Sequence, residues 1–422
     1  MDRFIIEGGI PLRGRAAIRP AKNALLPCLA AALLTKETVE LLDSAALGDI
    51  VSMLTMLEHL GAEVEGRPGG PLRVRVANGG GDLEAPYDLV RKMRASVLVL
   101  GPMVARYGRA RVSLPGGCAI GARPIDQHLK GLAALGAEVR VDHGYVEVRA
   151  SKLRGGDVLF DRATVTGTEN LLMAATLAGG TTTLRNAARE PEIIDLAELL
   201  AAMGARIEGA GTDTIQVKGV EGLHGARHAC IPDRIEAGTL LMAGCITGGD
   251  VTCAPAVPAH LEALLAKLRE MGAEVATGDG WIRAASPNGL ASADVVTAAF
   301  PGFPTDLQAQ FMALATRTRG ASTVKETIFE NRFMHVPELM RMGAEVSVEG
   351  NVAIVKGPTR LTGAPVMASD LRASAGLVLA GLCADGCTEV RRIYHLDRGY
   401  EQLEERLSAL GAAVRRVGEE EK

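Results

Sequence analysis

The sequence predicts an α/β protein built from six related repeats, and three observations support this. A short pattern closes an amphipathic helix six times: an apolar residue, Gly, Ala, a further residue and then a branched one. The pattern recurs at intervals of 68 to 75 residues, so six units of roughly 70 account for the 422-residue chain. A second, almost wholly apolar helix lies about 38 residues before each glycine. The six glycines are Gly61, Gly136, Gly204, Gly272, Gly343 and Gly411.

Each of these glycines predicts the end of a helix, because glycine adopts the left-handed C′ conformation without strain. The branched residues that follow predict a strand, as in residues 273–277. The six copies are Leu60–Val64, Leu135–Val139, Met203–Ile207, Met271–Val275, Met342–Val346 and Leu410–Val414.

The apolar helices are exemplified by Asn170–Leu177, Ala237–Cys245 and Ala373–Leu382. A helix that is apolar on nearly every face is expected to be buried. Short strands such as Thr181–Leu184 follow, so each unit should hold one buried helix, one half-exposed helix and about four strands. The pattern leaves open whether six units close as one ring or form two globules of three.

Polar or charged residues start the apolar helices at matching places in the repeats. Capping explains Asp233, Thr305 and Asp370. It does not explain Lys22 or Arg94, because the helix dipole disfavours a cation there. If the units pack around a pseudo-threefold axis, these N-termini converge and predict an anion site.

Composition and charge exclude several classes of protein. The net charge is −4 and the sequence pI about 6.1, so no overall field would attract nucleic acid. The longest apolar stretches are about 11 or 12 residues, whereas a membrane span needs about 20. The N-terminus has no basic leader before an apolar run, so we expect no signal peptide.

The seven cysteines are odd in number and include no CxxC pair, which predicts neither a disulfide framework nor a zinc knuckle. A reducing cytoplasm fits this usage. No cluster of residues has metal-ligand spacing along the chain, so we expect no metal.

One loop, Ser113–Pro124, differs from the repeat pattern. Three glycines and two prolines within ten residues predict a mobile loop rather than a helix or strand. Cys118 in this loop should be exposed, and Arg123 can lower its pKa. The alternative is a tolerated surface thiol.

Three further residues are candidates. Asp306 at the start of a buried helix is either a cap or a functional carboxylate. Arg332 lies in the run Phe329–Val336 with aromatic residues on both sides, and Arg398 lies near the end of the last repeat. Either arginine taken alone would more often be an ordinary surface residue.

These motifs resemble those of bacterial UDP-N-acetylglucosamine 1-carboxyvinyltransferases, from one end of the chain to the other. The matching segments are Lys22-Asn23, Met93–Ser96, Pro115–Pro124 with Asp126 and His128, Ala188–Ile193, Pro232–Glu236, Phe303–Phe311, Phe329–Val336, Asp370–Ala373 and Tyr394–Glu401.

The resemblance implies a two-domain inside-out α/β barrel fold with six βαβαββ units, three per domain about a pseudo-threefold axis. Domain 1 would span residues 22–231, and domain 2 would span residues 1–21 together with 232–422. The active site would lie in the cleft between the domains.

The resemblance also implies a role for each matching residue. Cys118 would protonate the methylene carbon of phosphoenolpyruvate or hold it as a thioether, and Asp306 would take the proton from the sugar hydroxyl. Lys22, Arg123 and Arg398 would bind phosphoenolpyruvate, with Asn23 beside them. Contacts to the nucleotide sugar would come from Arg94, Arg123, Pro124, Ile125, Asp126, Gln127, Arg162, Ala163, Thr164, Val165, Asp306 and Ile328. Arg332 and Arg372, with Asp370, would complete the lining.

The implied reaction transfers the enolpyruvyl group of phosphoenolpyruvate to the 3-hydroxyl of UDP-N-acetylglucosamine and releases phosphate. This reaction is the first committed step of peptidoglycan synthesis. It would link the chain to cell-wall biogenesis, cell shape and cell division, and it would take place in the cytoplasm. Fosfomycin would be an inhibitor. We expect no cofactor apart from a possible pyruvate-type adduct on Cys118, and no nucleic acid, membrane or obligate protein partner.

One segment departs from the family pattern. Many members have the sequence Ser-Val-Gly-Ala-Thr there. This chain has Thr164-Val165-Thr166-Gly167-Thr168. Threonine hydroxyls and backbone groups can supply the same contacts to the uridine phosphates.

Three alternative functions compete with this interpretation. An enolpyruvylshikimate-phosphate synthase shares the fold and the donor but lacks the Gly-Gly-Cys loop. An enzyme resembling RNA 3′-terminal phosphate cyclases would need a basic stripe with interleaved aromatics, which this chain lacks. A catalytically silent nucleotide-sugar-binding paralogue is compatible with the sequence.

Overall fold

The structure, a computed structural model, describes residues 2–77, 83–91, 93–114 and 125–418. The chain divides into two compact units. One contains the described residues of the range 20–231, and the other contains residues 2–19 and 232–418.

The helices along the chain are of two kinds, buried apolar helices and half-exposed amphipathic helices. In the first unit they are α1 (Lys22–Ala31), α2 (Gly48–His59), α3 (Tyr87–Val90), α4 (Leu100–Tyr107), α5 (Asp126–Ala134), α6 (Val165–Ala175) and α7 (Pro191–Ala202). In the second they are α8 (Arg234–Ile246), α9 (Glu262–Glu270), α10 (Gln308–Ala315), α11 (Val336–Arg341), α12 (Leu371–Cys383) and α13 (Leu403–Ala409). Short 3₁₀ helices span Ala32–Leu34, Arg94–Val99, Pro258–His260, Thr305–Leu307 and Ile393–Arg398.

The first unit contains three four-stranded sheets. In spatial order their strands are Arg227–His228, Val39–Leu41, Leu72–Arg75 and Glu63–Gly66; then Glu84–Ala85, Arg109–Ser113, Tyr145–Arg149 and Glu138–Asp142; and then Asp157–Leu159, Thr181–Arg185, Thr214–Lys218 and Arg206–Glu208.

The second unit also contains three four-stranded sheets. Their strands are Glu274–Gly278, Trp281–Ala285, Asp250–Ala254 and Arg13–Ala17; then Val295–Val296, Gly320–Lys325, Val352–Gly357 and Glu345–Glu349; and then Pro365–Met367, Cys387–Arg391, Arg3–Glu7 and Ala413–Val417.

All six sheets share one pairing pattern, in which one edge strand is parallel to its neighbour and the other pairs are antiparallel. In the third sheet, for example, Asp157 pairs with Thr183 in the parallel register, and Thr181 pairs with Lys218 in the antiparallel register. The repeated pattern shows that the six units are structural repeats. No sheet among the described residues closes on itself.

The predicted helix ends are confirmed at all six glycines. Their φ angles lie between 87° and 103°, in the left-handed region. At each glycine the next amide donates to a leucine carbonyl one helical turn back, as from Ala62 to Leu57 at 2.9 Å and from Ala412 to Leu407 at 3.0 Å. This is the Schellman arrangement, which satisfies carbonyls that a helix end would otherwise leave without partners.

The apolar helices form the centre of each unit, as predicted. Helices α8, α10 and α12 contact one another in the second unit, and α6 contacts α1 and α4 in the first. Each unit has its own hydrophobic core. The second repeat differs from prediction because its apolar segment begins as a 3₁₀ helix at Arg94 and becomes α-helical only at Leu100. No helix in the described ranges is both long and apolar enough to cross a membrane.

Candidate functional site

Three predicted residues of the second unit meet in what we call the Asp306 cluster: Asp306, Arg332 and Arg372. Arg332 Nη2 donates to Asp306 Oδ1 at 2.8 Å. Arg372 Nε and Nη2 donate to Asp306 Oδ2 at 3.1 and 2.8 Å. Both arginine side chains are buried, whereas 27% of the Asp306 side chain is exposed. The cluster therefore presents a fixed carboxylate between two fixed cations.

The charge of Arg372 depends on its partner. Burial alone would lower the pKa of this guanidinium, but the neighbouring Asp306 carboxylate raises it above its ordinary value. The guanidinium also lies 5.6 Å from the centre of the Tyr400 ring. Arg372 thus stays charged although it is buried.

A buried polar network holds the backbone of Asp306. Gln310 Nε2 lies 3.1 Å from both the Asp306 carbonyl oxygen and the Tyr400 hydroxyl. The Tyr400 hydroxyl lies 2.9 Å from Thr239 Oγ1. Because these groups come from α8, α10 and the segment before α13, they join the central helices of the fourth and fifth repeats to the sixth repeat.

Glu326 is a residue that the sequence analysis missed. Its carboxylate is buried and accepts hydrogen bonds from the hydroxyls of Thr297 and Thr305 at 2.9 and 2.8 Å. It also accepts from the amides of Ile328 and Phe329 at 2.7 and 3.1 Å. Glu326 follows a strand directly, and a carboxylate in that position is the only sequence signal that could have indicated it.

Two predicted helix caps are present and one is wrong. Asp370 accepts from the amides of Arg372 and Ala373, and Asp233 caps α8 in the same way. Thr305 does not cap its helix, because its hydroxyl donates to Glu326 instead.

Arg398 and Ile328 are exposed in the second unit. Arg398 ends the 3₁₀ helix Ile393–Arg398. Together with burial and Arg392, its charge lowers the pKa of His395, which lies on the same turn.

In the first unit, Lys22 is the first residue of α1 and is buried. Its Nζ lies 2.9 Å from Oδ2 of Asp49, in the first turn of α2. This carboxylate partner was not predicted from the sequence. The pair fixes the ammonium group at the helix start, where the helix dipole alone would disfavour it. Asn23 follows and is half-buried.

The structure brings the side chains of Asp126, Gln127 and Arg162 together. Gln127 Nε2 donates to Asp126 Oδ2 at 2.9 Å and to Asp161 Oδ2 at 3.1 Å. Arg162 Nη2 lies 3.3 Å from Asp126 Oδ1. Burial would raise the pKa of Asp126, but hydrogen bonds from Gln127 and the charge of Arg162 lower it. Ile125, just before α5, is buried.

The first departure from the family pattern in the segment Thr164–Thr168, Thr164 in place of serine, has a local structural role. Thr164 is the N-cap of α6, and its hydroxyl accepts from the Gly167 amide at 3.3 Å. Val165 is the first helical residue, and Ala163 before it is exposed. The threonine therefore supplies the capping oxygen that a serine would supply.

Arg94 starts the 3₁₀ helix of the second repeat. Burial, assisted by the Arg94 charge, lowers the pKa of His128 to about 4. His128 is therefore neutral at pH 7.

Cys118, Arg123 and Pro124 lie outside the described residues, so their predicted roles stay predictions. The described residues do form one group with metal-binding side chains: Cys28, Asp195, His228 and Cys230. The expectation of no metal rested on spacing along the chain, and it did not anticipate this group because two of the three intervals between its residues are not local.

Comparisons with known proteins define the class first. The family model of EPSP synthase (3-phosphoshikimate 1-carboxyvinyltransferase) matches residues 6–407. The crystal structure of the enolpyruvyl transferase NikO from Streptomyces tendae is 27% identical, with a TM-score of 0.88 over 99% of both chains. EPSP synthase from Acinetobacter baumannii, 17% identical with a TM-score of 0.76, has the same fold over 99% of this chain and 100% of its own. The fold is that of the enolpyruvyl transferases.

Curated relatives narrow the class. UDP-N-acetylglucosamine 1-carboxyvinyltransferases from Koribacter versatilis and Myxococcus xanthus are 56% and 57% identical over 99% of this chain, and over 97% and 99% of their own lengths. One from Anaeromyxobacter sp. (strain K) is 58% identical over 99% of this chain and 100% of its own. The chain therefore belongs to the EPSP synthase family, in which it groups with the UDP-N-acetylglucosamine 1-carboxyvinyltransferases.

Proposed function

We propose that the chain transfers the enolpyruvyl group of phosphoenolpyruvate to the 3-hydroxyl of UDP-N-acetylglucosamine and releases phosphate. The observation that carries this is full-length identity of 56% to 58% with enzymes named for that reaction. Identity at this level along the whole chain favours this acceptor over shikimate 3-phosphate, since the EPSP synthase structure is only 17% identical.

The proposed chemistry needs an acid, a base and several cations. A proton from the Cys118 thiol adds to the methylene carbon of phosphoenolpyruvate, and the sugar 3-oxygen bonds to the neighbouring carbon. Asp306 accepts the hydroxyl proton. Loss of phosphate and return of one methyl proton to the Cys118 thiolate then restore the double bond. The hydroxyl proton passes from Asp306 to the released phosphate or to solvent, so the reaction is balanced without a cofactor.

The two arginines of the Asp306 cluster hold the Asp306 carboxylate in a fixed position, and they make it a weak base rather than a strong one. Two guanidinium groups stabilise its negative charge, which opposes full protonation. The exposed part of the carboxylate can still accept a hydrogen bond from the sugar hydroxyl as that proton leaves. We therefore assign Asp306 both orientation of the hydroxyl and acceptance of its proton as the carbon–oxygen bond forms.

The remaining predicted residues receive their roles as part of the same proposal. Lys22, Arg123 and Arg398 bind the donor, with Asn23 beside them. Charge-assisted hydrogen bonds of this kind contribute about 1.5–3 kcal/mol each. The Asp126–Arg162 pair, Arg94, Ile328 and the start of α6 contact the nucleotide sugar.

The cellular setting is also proposed. The reaction would be the first committed step of peptidoglycan synthesis, carried out in the cytoplasm and needed for cell shape and division. We keep residues 22–231, and residues 1–21 with 232–422, as the two proposed domains.

Phosphate release is the direct test. With phosphoenolpyruvate present, UDP-N-acetylglucosamine should support turnover and shikimate 3-phosphate should not. Turnover with shikimate 3-phosphate would assign the other acceptor, and binding of the nucleotide sugar without any phosphate release would identify a silent paralogue.

The role of Cys118 has a separate test. Fosfomycin is an epoxide that should alkylate the reacting thiol. Peptide mass mapping should find the adduct on Cys118, with the exposed Cys387 as the internal control. An adduct found only on Cys387, or no adduct at all, would remove Cys118 from the mechanism.

A further inference from the structure

Four side chains with metal-binding atoms meet inside the first unit. Cys28 lies in α1, Asp195 in α7, His228 in the strand Arg227–His228, and Cys230 two residues later. One ligand atom from each lies within 4.8 Å of all the others. Across residues 2–77, 83–91, 93–114 and 125–418, no other such group of three or more was found. We call it the Cys28 cluster.

The cluster is a built site rather than a surface coincidence. Cys28 and Asp195 are 0% and 1% exposed, and 10% of the His228 side chain is exposed. Cys28 Sγ lies 3.6 Å from Asp195 Oδ2, and His228 Nε2 lies 3.1 Å from Asp195 Oδ1. Asp195 Oδ1 also accepts from the Ile231 amide at 3.1 Å. Helix packing therefore places the four ligand atoms around one point.

We propose that the Cys28 cluster binds one Zn²⁺ ion through two thiolates, the His228 Nε2 atom and an Asp195 oxygen. These are the sulfur, nitrogen and oxygen ligands that Zn²⁺ takes in tetrahedral sites. Bonds of about 2.0–2.3 Å place tetrahedral ligands about 3.3–3.8 Å apart. A modest contraction of the 4.8 Å group reaches that geometry.

Charge and burial favour a cation at this point. A buried carboxylate is costly unless it is paired or coordinates a metal. Without metal, the Asp195 carboxylate lies within hydrogen-bonding distance of the Cys28 thiol, the His228 ring and the Ile231 amide. Binding of Zn²⁺ releases the two thiol protons, and any proton on His228 Nε2, to solvent, and it leaves two thiolates, a neutral imidazole and one carboxylate around a divalent ion. Thiolate and imidazole ligands select Zn²⁺ over Mg²⁺ or Ca²⁺.

The ion would act structurally. It would join α1 to α7 and to the segment that ends the first unit. The Ile231 carbonyl already accepts from the Ala21 amide at 2.8 Å, next to Lys22. Zinc would therefore hold the start of α1, with its lysine, against residues 228–231. A Cys28–Cys230 disulfide is the competing use of the same thiols.

The test uses the full chain, purified with reductant, stripped by a chelator and then given Zn²⁺ or Co²⁺ alone. The unmodified protein should take up one equivalent, and Co²⁺ should give the absorption of a tetrahedral thiolate complex. The thermal midpoint should rise with metal. Cys28→Ser, Cys230→Ser and His228→Gln should each lose the bound ion and the cobalt spectrum.

Cys387→Ser is the matched control, since this exposed thiol lies outside the cluster, and it should bind as the unmodified protein does. Cys118 remains in every variant, so metal held by that residue would persist in all of them. Circular dichroism identifies any variant that fails to fold. If the cysteine variants do not fold, metal uptake by His228→Gln, a substitution at a partly exposed position, tests the proposal. Absence of uptake, unchanged uptake in folded cluster variants, or a Cys28–Cys230 disulfide in mass mapping of the reduced preparation would overturn the proposal.

Discussion

At the scale of single residues, Glu326 shows how a buried carboxylate organises loops that carry proposed substrate contacts. Its four hydrogen bonds hold the hydroxyl of Thr305, next to Asp306, and the amide of Ile328. A carboxylate can accept all four because its two oxygens together have about four lone-pair sites.

Glu326→Gln should therefore destabilise the protein by about 1–3 kcal/mol, because the amide offers one acceptor oxygen and sets two donors against existing donors. The Michaelis constant for UDP-N-acetylglucosamine should rise more than that for phosphoenolpyruvate. Denaturant unfolding and phosphate-release kinetics measure the two effects. Glu330→Gln, at an exposed position in the same segment, is the control and should change neither. Equal changes in both Michaelis constants would show that Glu326 only stabilises the fold.

Glu236 links stability to pH. Burial raises its pKa to about 7, against the partial opposition of Arg406. Arg406 Nη1 lies 3.0 Å from Oε1 as an ion pair without hydrogen-bond alignment, and the Arg19 amide donates to Oε2 at 3.1 Å. Because the folded-state pKa lies above the ordinary value of 4.5, the folded protein binds this proton more tightly than the unfolded chain.

The contribution of Glu236 to stability should therefore be greatest below pH 4.5 and decline as the pH rises to about 7. The slope approaches about 1.4 kcal/mol per pH unit for one proton. Glu236→Gln should abolish this slope. The free energy of unfolding should be measured at several pH values for the unmodified protein and for Glu236→Gln. If the difference between the two does not change with pH, the proposed link between Glu236 protonation and stability is wrong.

At the scale of elements, close helix packing depends on particular glycines. Gly376 in α12 lies against α10, and an added Cβ would approach the Ala309 carbonyl oxygen to 2.8 Å. A backbone atom cannot move aside as a flexible side chain can. The close approach of α12 to α10 at this point therefore depends on Gly376.

Gly376→Ala should destabilise the second unit by about 1–3 kcal/mol through overpacking. Gly48→Ala is the matched control, because its added Cβ would meet nothing within 4 Å and its φ angle is not positive. That control should be neutral or slightly stabilising, since alanine favours the helix. Denaturant unfolding compares the two, and equal stabilities would show that α10 and α12 can separate without loss.

At the scale of the whole molecule, ligand binding should report which acceptor the protein recognises. A ligand that binds only the folded state stabilises it by about 2.7 kcal/mol at one hundred times its dissociation constant. UDP-N-acetylglucosamine should therefore raise the thermal midpoint. Shikimate 3-phosphate at the same concentration should not, and a larger rise with shikimate 3-phosphate would contradict the proposed function.

Much of the architecture could be predicted from the sequence because its signals are local. Each repeat glycine, such as Gly343, ends a helix through its own backbone conformation. The apolar helices, such as α12, are marked by composition alone. The family resemblance added the three-plus-three division, which the repeat pattern had left open. The 3₁₀ start at Arg94 was not predicted, because helix type over a few residues depends on packing.

The site was predicted only in part. Residue types at matching positions indicated Asp306, Arg332 and Arg372, but not that the two arginines bond the aspartate. The partner of Lys22 was also unforeseen, because Asp49 lies in another helix. Thr305 was predicted to cap its helix because of its position, whereas its hydroxyl donates a hydrogen bond to Glu326.

By itself, then, the sequence determined the six repeats, the end of each half-exposed helix and the apolar character of each central helix. These depend on the conformational freedom of single residues and on which faces of one element avoid water. The tertiary structure alone decided which charged groups pair and that Cys28, Asp195, His228 and Cys230 meet. Such contacts join residues far apart along the chain, and their energies depend on distance and burial, which exist only once the helices and sheets have packed.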